Sequence, residues 1–233
     1  KIRDYQEAGN KKQNKFVALF YWTWHIYDLP PGSQVNNNTE ILRKNPEAIL
    51  DYNHPAWNNP GRYYWEQPLF GYYKTTDPWV LRKHAEMLAD AGVDAVFFDC
   101  TNLTLTWKES YDVLMEVWDQ AQKDGVNVPK IAFMLPFASP EYGTPQLHML
   151  YEDIYKPGRY PNLWFIWKGK PCIMAQPEYL SDSKEDQEIA EFFTFRPGQS
   201  DYVDGPKRND QWGWMEIYPQ NGYAPLPNGG FEQ

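Results

Sequence analysis

Acidic side chains at the ends of apolar segments are the residues of this sequence best suited to chemistry. Asp99 ends the apolar run Ala95-Val96-Phe97-Phe98, and Thr101 and Asn102 follow it. A second carboxylate, Glu216, lies in an aromatic segment further along the chain. Hydrolysis of a glycosidic bond needs two carboxyl groups, one acting as acid and the other as nucleophile or base. The sequence therefore makes Asp99 and Glu216 the candidate catalytic pair.

Aromatic and hydrogen-bonding residues lie near the same predicted segment ends. Aromatic residues make up 17% of the chain, with 11 Trp and 17 Tyr. A buried indole needs a partner for its N–H group, so this excess indicates a binding surface, and the flat apolar faces of sugars suit it. The candidate substrate-binding residues are Trp24, His25, Trp65, Asn102, Arg196 and Trp214. Structural alternatives stay open, among them loop capping by Asp99 and pairing of Arg196 with a strand-end carboxylate.

Alternating strands and helices must position these residues. The predicted strands are 16–22, 95–99, 130–135, a hairpin of 163–167 with 171–175, 192–196 and 212–218. The predicted helices are 39–50, 76–92, 108–124, 144–155 and 183–191. This alternation predicts an α/β fold with a parallel sheet, in which a site forms at the carboxyl ends of the strands.

The closure of that sheet follows from motifs and length. An open doubly wound sheet usually carries a glycine-rich phosphate turn, and the sequence has none. A (β/α)8 TIM-type barrel needs eight strands and typically about 250 residues, and only six or so βα units are recognisable here. We expect residues 1–233 to form one catalytic barrel domain, with residues 1–15 as a leading arm. A C-terminal remainder of the same protein would complete the barrel.

Composition and missing motifs exclude several classes of protein. The net charge is −9 and no basic run is present, which argues against nucleic acid as a partner. No apolar run approaches the roughly 20 residues of a membrane span. Motifs of zinc proteases, serine hydrolases and nucleotide-binding proteins are missing, and we predict no cofactor and no metal. Cys100 and Cys172 are two buried thiols or one disulfide.

A family resemblance can be stated on two stretches of the sequence. They are Phe70-Gly71-Tyr72-Tyr73 with the segment from Asp77 to Asp99, and the turn Trp167-Lys168-Gly169-Lys170-Pro171. Both resemble bacterial proteins described as glycoside hydrolase family 71/99-like, many from Bacteroides-type glycan-degrading systems. The resemblance covers about residues 16–218. It implies a (β/α)8 barrel, a glycosidase activity and a periplasmic or cell-surface location.

The resemblance defines the activity better than it defines the substrate. Family 99 enzymes act on α-mannosides through paired glutamates in a W-N-E-W type of motif, and the nearest match here is Trp214-Met215-Glu216. An enzyme acting on fucosylated or pectic side chains is equally compatible. We therefore predict a glycoside hydrolase acting on an oligosaccharide or polysaccharide of plant or host origin. The alternative is a non-catalytic glycan-binding protein on the same scaffold.

Overall fold

The structure is a computed structural model that describes residues 15–25, 36–59, 63–65, 67–198, 208–213, 224–225 and 231–232. Residues 1–14 of the predicted arm, and also Trp214 and Glu216, lie outside the described residues. Among the residues that are described, no helix has both the length and the apolar character needed to cross a membrane.

Short strands and five α-helices make up the described elements. The strands are β1 (Ala18–Tyr21), β2 (Asn36–Asn37), β3 (Tyr63–Tyr64), β4 (Ala95–Asp99), β5 (Lys130–Met134), β6 (Ile166–Trp167), β7 (Lys170–Ile173), β8 (Thr194–Phe195), β9 (Ala224–Pro225) and β10 (Phe231–Glu232). The α-helices are α1 (Asn38–Lys44), α2 (Pro78–Asp90), α3 (Lys108–Lys123), α4 (Pro140–Leu150) and α5 (Lys184–Phe192). Short 3-10 helices cover Pro46–Leu50, Pro55–Trp57, Pro161–Leu163 and Pro177–Tyr179, and a π-helical turn covers Tyr151–Tyr155.

Parallel strands succeed one another in chain order. β4 lies between β1 and β5 and is parallel to both. A parallel bridge from Met134 to Met174 continues the series to the end of β7, and β7 pairs in parallel with β8. A last parallel bridge joins Gly198 to Trp212. The predicted α/β fold with a parallel sheet is therefore present, whereas closure into eight strands stays a prediction.

Apolar side chains cover both faces of this sheet. On one face, Val96, Phe98, Ile131 and Phe133 pack against α2, α3 and α4 in the larger core cluster. The opposite face, called the inner face here, carries a second cluster. Its buried members are Ala95, Phe97, Ala132, Met134, Phe137, Phe165, Cys172, Met174 and Trp212. Phe16 contacts both Phe165 and Trp212 through its ring, so residues from the two ends of the strand series meet across the inner face.

Local sequence signals explain where the helices begin and end. Asp77 caps α2 by accepting from the backbone N–H groups of Trp79 and Val80, and Pro78 takes the first helical position. Gly92 ends that segment with a φ of +83°, a conformation that glycine adopts at low cost. α4 begins at Pro140, earlier than the predicted residue 144, and β8 is shorter than predicted because α5 continues to Phe192. Cys100 and Cys172 are both free and buried, so the pair is two thiols.

Candidate functional site

Asp99 is the buried carboxylate at the carboxyl end of β4. Its relative exposure is 4%. Trp24 Nε1 donates to its Oδ2 at 3.1 Å, and the backbone N–H and the hydroxyl of Thr101 donate to its Oδ1 at 3.0 and 2.7 Å. A carboxylate offers about four lone-pair sites, so these three donors leave one acceptor site, on Oδ2. Every described hydrogen bond of Asp99 comes from a donor, so its carboxyl oxygens accept throughout this arrangement.

Aromatic rings form a platform next to this carboxylate. The ring of Trp24 lies 5.0 Å from that of Trp22 and 5.9 Å from that of His25. It also stacks on Trp107, with ring centroids 6.3 Å apart and an interplanar angle of 25°. Trp22 is 48% exposed, so the platform has an open face. Rings held in this way, beside a carboxylate, offer both stacking and hydrogen bonding to a sugar ring.

The loop that follows Asp99 is strained and is held from a helix. Leu103 and Trp107 have φ angles of 56° and 58°, which side chains other than glycine seldom adopt. The fully buried Gln146, on α4, donates from Nε2 to the carbonyl oxygens of Cys100 and Leu103 at 2.7 and 2.6 Å. These two bonds fix the segment that carries Thr101 and Asn102, and strain kept in this way is common at functional sites.

Arg196 lies at the same height along the strands as Asp99. Asp99 pairs with Met134, and Met134 bridges to Met174. β8 pairs Phe195 with Ile173, which brings Arg196 beside Met174. Phe195 packs towards the helix-covered core, and successive strand residues point to opposite faces, so Arg196 belongs to the inner face. Its exposure is 7%, and its Nη1 donates to the Phe195 carbonyl at 2.7 Å.

The structure therefore brings some of the predicted site residues together and separates others. Trp24, His25 and Asp99 are brought together, and Arg196 shares their end of the sheet. Asn102 is exposed in the loop after Asp99. Trp65 is 65% exposed and its carbonyl accepts from Thr39, and no described contact joins it to Asp99. The two remaining candidates, Glu216 and Trp214, lie outside the described residues.

Sequence reasoning missed several residues of this site. Trp22 is the last residue of the predicted first strand and could have been proposed from that position. Thr101, two residues after Asp99, has the spacing at which a hydroxyl bonds back to an aspartate. Gln146 gave no signal, because its partners are backbone carbonyls more than forty residues away in sequence. Within the described ranges, no group of three or more His, Cys, Asp or Glu side chains is placed to hold a metal ion.

Comparison with known proteins finds similar solved structures. No family model and no curated protein matches this chain. Two solved structures of the GH99 endo-alpha-mannosidase from Bacteroides thetaiotaomicron are similar to it. One has 17% identity and a TM-score of 0.42 over 78% of this chain and 61% of its own. The other, in complex with BIS-TRIS-propane, has 15% identity and a TM-score of 0.41 over 68% of this chain and 41% of its own.

Proposed function

We propose that this protein hydrolyses glycosidic bonds and that Asp99 is one of its two catalytic carboxylates. The observation that carries the proposal is the hydrogen bond from Trp24 Nε1 to Asp99 Oδ2. It joins a buried carboxylate to an aromatic ring that can stack on a sugar, at the carboxyl end of a parallel strand. Glycosidases need both properties at one place, because the carboxylate must lie against the ring whose bond it cleaves.

The hydrogen bonds of Asp99 favour one of the two catalytic roles. A carboxylate surrounded by donors is suited to act as nucleophile or base, and not as the acid that protonates the leaving group. The acid would then be a second carboxyl group, for which Glu216 is the candidate. Arg196, His25 and Asn102 would bind sugar hydroxyls, and Trp24 would form the floor of the subsite. Trp65 and Trp214 are proposed as outer stacking residues.

Release of reducing ends from a panel of oligosaccharides tests this proposal. The panel should include α-mannosides, fucosylated glycans and pectic side chains. We expect the protein to cleave at least one of them, and Asp99→Asn to lower turnover by about a thousandfold or more. Asp124→Asn is the matched control, since Asp124 is exposed and paired with Arg82. A rate in Asp99→Asn close to that of the native protein, with the fold intact, would refute the role of Asp99.

A non-catalytic glycan-binding protein is the second candidate, and one observation favours it. Three of the four acceptor sites of Asp99 are already occupied by protein donors. Such a carboxylate could serve only to orient Trp24 and to accept one sugar hydroxyl. Binding of an oligosaccharide from the panel without release of reducing ends, in both native protein and Asp99→Asn, would select this alternative.

The wider architecture is part of the proposal. Parallel strands in chain order around one inner cluster support a (β/α)8 barrel, to which this chain would contribute a single catalytic domain. Oligosaccharide or polysaccharide is the proposed substrate. The periplasmic or cell-surface location stays a prediction from the sequence.

A further inference from the structure

A small cavity adjoins the aromatic platform, and Asp99 is not among its described lining residues. Its volume is about 240 Å³. The residues that line it are Phe20, Tyr21, Trp22, His25, Tyr73, Thr75 and His84. Trp22 and His25 belong to the platform as well, so the cavity is continuous with it. Tyr21, Tyr73 and His84 have no part in the hydrolysis proposed above.

Hydrogen bonds from two elements fix the walls of this cavity. The segment before α2 is joined to the residues after β1, since Thr75 N donates to the His25 carbonyl at 2.9 Å and His25 N donates to Thr75 Oγ1 at 2.7 Å. His84, on α2, lies 2.8 Å from the Tyr21 hydroxyl through its Nδ1. The rings of Tyr73 and His84 pack edge to face, with their centroids 5.6 Å apart. The His84 imidazole and the backbone of His25 are therefore held in place before any ligand arrives.

The described part of the lining is uncharged. No Lys, Arg, Asp or Glu is among the described residues that line the cavity. Burial lowers the pKa of His25, and burial together with the nearby His25 lowers the pKa of His84. Both rings are therefore neutral at pH 7, and a neutral imidazole carries one donor and one acceptor. A cation finds no carboxylate here and an anion finds no positive charge.

A pyranose ring of a neutral sugar has the complementary properties. Its C–H face stacks on aromatic rings, and each hydroxyl both donates and accepts, as the imidazoles and the Tyr21 and Thr75 hydroxyls require. The cavity has room for about one such ring. Trp22 and Trp24, 5.0 Å apart, connect the cavity with Asp99.

We propose that this cavity is a subsite for one uncharged sugar unit of the glycan. The inference deepens the proposed function and rests on it for the identity of the ligand as a glycan. The glycan would extend from Asp99 across Trp24 and Trp22, with one further unit in the cavity against Tyr73 and His84. Substrates with an amino sugar or a uronic acid at that position would be excluded.

Histidine side-chain NMR is a direct test, because the chain has only 4 His. The ring signals should be followed while mannose, glucose, galactose, fucose, glucosamine and glucuronate are added in turn. We expect at least one neutral sugar to shift His25 and His84 in a saturable way. His54 and His148 lie outside the cavity lining and are internal controls. Saturable shifts from glucuronate or glucosamine but from no neutral sugar would overturn the proposal.

Matched variants separate this proposal from the proposed hydrolysis. His84→Gln and Tyr21→Phe should each raise the dissociation constant of the sugar about tenfold. Each variant would lose either a hydrogen bond to the sugar or the bond between Tyr21 and His84 that orients the imidazole. His148→Gln should leave it unchanged. Hydrolysis by the native protein without shifts of His25 and His84 would overturn the subsite alone. Shifts without any hydrolysis would overturn the catalytic proposal and leave the subsite standing.

Discussion

Two aspartates, Asp99 and Asp153, each accept hydrogen bonds from several side chains, but the donors differ in charge. Asp153 accepts from Lys108 at 2.7 Å, Tyr111 at 2.9 Å and Arg159 at 2.9 Å. Among the residues that the structure describes, Asp99 accepts only from the uncharged groups of Trp24 and Thr101. Two cations pair with the first carboxylate, whereas the described contacts of the second include no cation. The first arrangement suits a structural link between helices, and the second suits a carboxylate that acts on something outside the protein.

Two tryptophans show the same contrast. Trp118 lies on the helix-covered side of the sheet, and Trp24 lies at the carboxyl ends of the strands, which we call the sheet end. Trp118 is fully buried, and its Nε1 donates to the Leu81 carbonyl at 2.9 Å. Trp24 is half-buried, and its Nε1 donates to a carboxylate. Bonding to a backbone carbonyl inside a core stabilises the fold, while bonding to Asp99 orients a side chain that faces the site. Substitutions on the helix side should therefore change stability, and those at the sheet end should change binding.

Trp118→Ala should have the largest effect on stability. Loss of a fully buried indole typically costs about 3–5 kcal/mol of the free energy of unfolding. The denaturant midpoint of the variant measures it. Trp79→Ala is the control and should stay within about 0.5 kcal/mol, since Trp79 is 58% exposed. A comparable loss in both variants would mean that the helix-covered core is not where stability resides.

Gln146→Leu should affect both regions, because Gln146 lies on α4 and bonds the loop that follows Asp99. Without the side-chain amide, the Cys100 and Leu103 carbonyls lose their partner, and a buried carbonyl left unpaired costs about 1–3 kcal/mol. We expect a loss of about 2 kcal/mol in stability and faster amide hydrogen exchange in residues 100–107. Gln187→Leu, at an exposed position of α5, is the matched control. Unchanged exchange in that loop would show that Gln146 does not hold it.

Much of the fold was predictable because its signals are local. The apolar run 95–98 bounded by Gly92 and Asp99 gives β4 with its observed bounds, Ala95–Asp99. Asp77 and Pro78 likewise mark the start of α2. Helix α4 was placed less well, because Pro145 and Gly143 inside it weaken the helical pattern that tertiary packing overrides.

The site was predictable only in part, since its geometry depends on contacts distant in sequence. Asp99 and Trp24 could be named from their positions at segment ends, but their hydrogen bond spans 75 residues and has no sequence pattern. The position of His84 on an apolar-leaning stripe of α2 is typical of a packed histidine, and its bond to Tyr21 agrees with that. That it also lines a cavity depends on how the segment carrying Tyr73 and Thr75 folds back on β1, which periodicity does not encode.

Asp153→Asn should lower stability moderately and leave sugar binding unchanged. An amide in place of the carboxylate weakens the bonds to Lys108, Tyr111 and Arg159, but these groups are partly exposed, so water recovers part of the loss. We expect a decrease of about 1–1.5 kcal/mol in the free energy of unfolding. Glu86→Gln, which removes an exposed pair with Lys83, should cost less than about 0.5 kcal/mol. An effect on sugar binding would contradict the separation of the two regions.

Asp186 gives the smallest expected effect, and one that depends on pH. Hydrogen bonds from the Ser181 hydroxyl at 2.5 Å and backbone at 2.6 Å, together with His148 at 2.6 Å, lower the pKa of Asp186, although burial opposes them. The unfolded chain, with an Asp pKa of about 3.9, binds the proton first as the pH falls. The stabilisation is therefore complete above about pH 5 and is lost as the pH falls through the lowered pKa of the folded state.

The pH-dependent stabilisation by Asp186 is measured by the free energies of unfolding of the native protein and of Asp186→Asn at pH 7, 5, 4 and 3. The native protein should be more stable by about 1 kcal/mol at pH 7 and lose most of that difference by pH 3. Asp182→Asn, at an exposed neighbouring position, should show no such trend. Because His148 joins α4 to Asp186 on the helix-covered side, Asp186→Asn should leave the His25 and His84 ring signals unchanged at pH 7. A difference between native protein and Asp186→Asn that persisted at pH 3 would mean that packing, and not the carboxylate charge, joins α4 to α5.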